Sequence, residues 1–171
     1  RSTISDDEIS NWGGTLAVTD TAMSNGGVSV YGGAASVANT TIRRVVIWGG
    51  ALTLANTTIS GNSSSGLPVG GGTVTLFNST ITENSSDHRT GGVFVYPDFG
   101  GLVTLHNTIV AGNRVTDGSD NHDVYGAFDA SSSYNLIGVI DGSTGLDGTG
   151  TLYGTAEAPL DPLLGLLEDN G

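Results

Sequence analysis

Paired glycines, apolar residues alternating with polar ones, and asparagines recurring at one point of each repeat predict an all-β chain. The predicted fold is a right-handed parallel β-helix, a β-solenoid with three short strands per turn and an irregular C-terminal tail. Residues 1–140 are expected to form the coil. Residues 141–171, rich in Gly, Pro and Leu, are expected to pack as a tail on the last turn.

The repeat reads Gly-Gly, apolar-x-apolar, x-Asn, and then Thr-Ile. It runs from Gly13 (GGTLAVTDTAM), Gly32 (GGAASVANTTI), Gly49 (GGALTLANTTI), Gly71 (GGTVTLFNSTI) and Gly100 (GGLVTLHNTIV). The apolar residue after the Asn forms a ladder of Ile4, Met23, Ile42, Ile59, Ile81 and Val110, at steps of 19, 19, 17, 22 and 29 residues. Most steps suit one solenoid turn. The 29-residue step needs a loop, which the reading places at about Asn84 to Thr90.

Within a turn the period is two, which belongs to strands. Leu52-Thr53-Leu54, Val74-Thr75-Leu76 and Val103-Thr104-Leu105 place their aliphatic residues inward. Val28-Ser29-Val30, Val45-Val46-Ile47 and Val93-Phe94-Val95 supply a second strand, and the Thr-Ile segments a third. Asp20, Asn39, Asn56, Asn78 and Asn107 share one position. Asn tolerates the left-handed backbone of a sharp bend, and stacked amides can bond one another, with Asp20 accepting from Asn39. Asn62, Asn84 and Asn113 mark a second bend.

Composition narrows the function. The chain has 171 residues, net charge −12, five Arg, no Lys and no Cys. A nucleic-acid partner needs a basic stripe, and none is present. No apolar run reaches the ~20 residues of a membrane-spanning helix. Without Lys, and with scattered Arg and no converging carboxylates, no enzymatic role is expected.

Several residue groups carry candidate chemistry, each beside a plainer reading. Asp117, Asp120 and Asp123 on one loop offer oxygen ligands for Ca²⁺, or form an ordinary acidic loop. Trp12, Tyr31 and Trp48 each precede a Gly-Gly pair, and Tyr96 ends the equivalent strand. Stacked, they form an aromatic strip that either holds sugar rings or covers a corner of the coil. The outward column Ala17, Ser36, Thr53, Thr75 and Thr104 suits exposed strands, or an ice-binding face.

The motifs NTTISGN (56–62), NSTITEN (78–84) and NTIVAGN (107–113) resemble bacterial surface β-helix proteins with polymorphic-membrane-protein-like repeats. DVYGAF from Asp123, YNLIG from Tyr134 and PLDPLLGLLEDNG from Pro159 resemble the choice-of-anchor type C-terminal segment of such proteins. The likeness begins near Gly13. Met23, and Arg43-Arg44 in place of Gly61-Asn62, depart from its pattern. It implies an extracellular or cell-surface location, and a sequence continuing beyond Asp169-Asn170-Gly171.

Two functions follow as expectations. One is a structural or adhesive module, fibre-forming or part of a larger exported protein, whose partners are other copies or upstream turns of its parent. The other is a carbohydrate-binding module, or a remnant of a polysaccharide-active β-helix, with glycans as partners.

Overall fold

A computed structural model describes residues 2–87, 89–116 and 122–165. Among these there is no helix, and the chain winds as a parallel β-solenoid of about eight turns. Every named strand pairs in parallel with the turn before or after it, so each apolar position meets its own counterpart about 4.8 Å away. Ile4 faces Met23, Met23 faces Ile42, and the column continues through Ile59, Ile81 and Val110. It then extends to Ile137 and Tyr153. From Met23 to Ile137 these side chains are buried. The coil therefore continues beyond residue 140: Ser143–Thr144 and Leu152–Tyr153 add strands, and Leu146 is buried.

Three faces enclose this core. One is a five-stranded sheet of Thr15–Thr19, Ala34–Ala38, Ala51–Ala55, Thr73–Phe77 and Leu102–His106. Ala17, Ser36, Thr53, Thr75 and Thr104 stand in register on its outer side. The other two faces share one thirteen-stranded sheet. They are joined because Thr21–Val30 and Thr41–Ile47 run through both without a break, the former with a bulge between Met23 and Gly27. In later turns the equivalent stretch bends at Asn62, Asn84 and Asn113, and separate strands replace the long ones.

The first asparagine column lies at the surface. Asp20, Asn39, Asn56, Asn78 and Asn107 all have φ between 48° and 51°, the left-handed region that Asn tolerates better than most residues. Their amides form a one-way chain. Asn107 Nδ2 donates to Asn78 Oδ1 at 2.8 Å, Asn78 to Asn56 at 3.3 Å, Asn56 to Asn39 at 3.0 Å and Asn39 to Asp20 at 3.1 Å. The residue after each carries a hydroxyl: Thr21, Thr40, Thr57, Ser79 and Thr108 each donate to the carbonyl two residues back. Each hydroxyl bridges the bend from inside.

The second column is buried and runs the opposite way. Asn62 Nδ2 donates to Asn84 Oδ1 at 2.6 Å, Asn84 to Asn113 at 2.8 Å, and Asn113 to Asp123 at 2.8 Å. The backbone N–H of each donor residue reaches the same oxygen, which fixes the orientation of every amide. Asn84 and Asn113 also satisfy the carbonyls of Ile59 and Ile81.

The 29-residue step is built differently from the loop expected at 84–90. Asn84 is fully buried, and Ser85–Ser86 is a strand paired with Arg114–Val115. Relative to the preceding turn, the extra length enters at two places. Ile59 to Leu67 spans eight residues and its counterpart, Ile81 to Val93, twelve. Val69 to Thr73 spans four, and Val95 to Leu102 seven. Both insertions border the same face.

Candidate functional site

That face is lined by strands Glu8–Asn11, Thr21–Val30, Thr41–Ile47, Leu67–Val69, Val93–Val95 and Val124–Ala127. Alternation turns Val46, Pro68, Phe94 and Tyr125 outward at successive rungs, and the next outward position holds Trp12, Tyr31, Trp48, Gly70 and Tyr96. The four aromatic residues expected to form a strip are thus in one column, interrupted at Gly70.

The interruption divides the strip. Trp12 and Tyr31 stack on each other, with centroids 4.0 Å apart and planes at 8°. Trp48 instead leans across the missing side chain at Gly70, where a Cβ would run into its six-membered ring. It reaches Tyr96, 5.6 Å away at 34°, and Phe99, 6.0 Å away at 84°. Phe94 joins at 4.3 Å from Tyr96 and continues to Tyr125 at 5.6 Å. Phe94, Phe99 and Tyr125 belong to the cluster although repeat position alone did not mark them.

Trp48, Phe94 and Tyr96 border a groove of about 680 Å³. Val46, Pro68 and Phe94 line its floor, with Trp48 and Tyr96 beside them. Its walls come from the two insertions: Asp87 and Arg89 from the first, Pro97 and Asp98 from the second. The longest of the first five steps of the ladder thus contributes both of these walls, with Ser64 and Ser65 of the preceding turn beside them.

The groove carries polar groups at its rim. Arg44 donates to Glu8 Oε2 at 3.3 Å, and Glu8 Oε1 accepts from the Ser29 hydroxyl. Both side chains are half-exposed, so this pair contributes little stability. Arg89 donates to the Tyr125 hydroxyl at 2.6 Å, and its guanidinium lies 5.1 Å from that ring's centre. Asp98, exposed on the far wall, has no hydrogen bond or ion pair to another described residue.

Of the proposed Ca²⁺ ligands, Asp117 and Asp120 lie outside the described residues. Asp123 is turned into the coil, where Oδ1 accepts both N–H groups of Asn113 at 2.8 Å. Burial pushes its carboxyl up to about 6, against the lowering pull of the Asn113 and Val139 hydrogen bonds and of His122. Its other oxygen occupies the space that a side chain at Gly138 would fill. Among the described residues no three His, Cys, Asp or Glu side chains are grouped to hold a metal.

Aromatic rings over an apolar floor, rimmed by carboxylate, guanidinium and hydroxyl groups, form a shallow binding surface for a molecule with both apolar and hydrogen-bonding faces. No protein-family model, no curated protein and no solved structure matches the chain.

Proposed function

We propose that this chain is an extracellular or cell-surface β-solenoid module, structural and adhesive in role, that holds carbohydrate in the aromatic groove. The observation that carries this reading is the cluster of Trp48, Tyr96 and Phe94 on a groove, backed by Phe99 against Trp48, with walls supplied in part by the longest of the first five steps of the ladder. A chain that merely needed to close its core would gain nothing from lengthening that turn. Sugars present C–H faces that stack on aromatic rings, and hydroxyl edges that bond to carboxylates and guanidinium groups. The likeness of NTTISGN, NSTITEN and NTIVAGN to surface β-helix repeats supports the placement outside the cell. A module of this kind binds without turning over its ligand.

Affinity electrophoresis through gels containing a panel of polysaccharides tests the proposal. The intact chain is expected to be retarded by at least one polysaccharide, with retardation that saturates as its concentration rises. Unaltered migration through every gel overturns it.

A further inference from the structure

We propose that the groove takes a neutral hexopyranose unit, seated with its apolar face on the Trp48 ring. This rests on carbohydrate being the groove's ligand, and it assigns the sugar class and the platform.

Trp48 is laid flat by a glycine. The three atoms nearest to a Cβ on Gly70 all belong to the Trp48 ring, and Gly70 has no left-handed φ that would require glycine for the backbone. The residue at this rung is small because a ring lies over it. Trp48 is nevertheless 44% exposed and lines the groove, so part of its ring is open to a ligand there. Phe99 stands nearly perpendicular beside it, and Tyr96 is tilted at its other contact. A flat ring with one upright neighbour fits a pyranose, which has a C–H face and an equator of hydroxyls. Trp12 and Tyr31 differ, because each covers a face of the other.

The charges around the platform select a neutral sugar. Arg44 is paired with the Glu8 carboxylate, and Arg89 keeps its charge while bonding the neutral Tyr125 hydroxyl. Asp98 faces the groove with no partner among the described residues, and Asp87 lines the other wall, so with Arg44, Glu8 and Arg89 the charges around the groove sum to −1. Carboxylates accept hydroxyl protons from a neutral sugar and repel a uronate.

The test is isothermal titration of the full chain with gluco-, manno- and galacto-configured tetrasaccharides, beside a galacturonate tetrasaccharide. Tryptophan fluorescence is followed in a Trp12→Phe background, which isolates Trp48. At least one neutral tetrasaccharide is expected to bind and perturb Trp48 emission, and the galacturonate is not. Trp48→Ala and Gly70→Ala are each expected to weaken neutral binding at least tenfold with unchanged circular dichroism. Gly70→Ala displaces the ring without touching the ligand's polar contacts, and Trp48→Ala decides the matter should that variant misfold. Binding of galacturonate alone overturns the neutral class and leaves carbohydrate binding standing. Neutral binding that both variants leave intact overturns the platform. No binding of any tetrasaccharide, with no polysaccharide retarding the chain, overturns the inference and the function beneath it together.

Discussion

The exposed ladder from Asn107 to Asp20 and the buried ladder from Asn62 to Asp123 use the same side chain for different ends. At the surface, Asn is selected by the backbone. All five positions are left-handed, and water competes for every amide contact. In the interior, none of Asn62, Asn84 and Asn113 is left-handed, and the amide is selected by the hydrogen bonds that a bent backbone leaves open. An identical repeat of Asn therefore conceals one conformational role and one role in satisfying buried polar groups. Substitution separates them.

The largest effect is expected at Asn84. Replacing it with Ala removes the acceptor of the Asn62 N–H groups and the donor to the Ile59 carbonyl. At ~1–3 kcal/mol for each orphaned buried group, Asn84→Ala should cost several kcal/mol. Urea unfolding measures this, and a loss below ~1 kcal/mol would remove the distinction between the ladders.

Next comes the pH response at the buried ladder's end. The Asp123 carboxyl is raised from 3.8 to about 6 by burial, so the folded state favours its protonated form. The stability it contributes is complete below pH 3.8 and is lost as pH climbs through 6, by about 3 kcal/mol at most. Unfolding midpoints should therefore rise on acidification from pH 7.5 to 5, and Asp123→Asn should flatten that rise whatever its own stability. Parallel pH profiles for the two proteins would show that Asp123 titrates normally.

The smallest effect is expected on the surface ladder. Asn56→Gly keeps the left-handed backbone and loses only solvated contacts, so it should cost under ~1 kcal/mol. Asn56→Ala adds the left-handed penalty of ~1–2 kcal/mol. Melting temperatures that rank Ala above Gly would contradict a conformational role.

Much of this was legible in the sequence, because stacking in register turns a linear repeat into columns. The column from Ile4 to Val110 and the acceptance of the Asn39 amide by Asp20 both follow from repeat position alone. Leu67-Pro68-Val69 was harder to see. A proline in the middle of a strand argues against a strand because it cannot donate to the ladder, and it is tolerated here because Leu67–Val69 pairs with Thr41–Ile47 only at Val69. Asp123 shares an oxygen-rich loop with Asp117 and Asp120, which suggests Ca²⁺; its place in the ladder is hidden because it follows Asn113 by ten residues rather than by a turn. The groove escaped for a related reason. Its walls are insertions, which break the repeat, and its platform depends on the side chain that Gly70 lacks.

The one-way donation in the surface ladder also governs how such a gene can lengthen. An amide both gives and receives, so a duplicated rung placed anywhere between Asp20 and Asn107 finds its donor and acceptor already matched. A carboxylate only receives. A rung on the far side of Asp20 has to offer it a proton, so an Asn placed there has to turn its amide the other way. The same holds beyond Asp123. Each aspartate thus acts as a punctuation mark, within which copying keeps one direction of donation and across which that direction has to reverse.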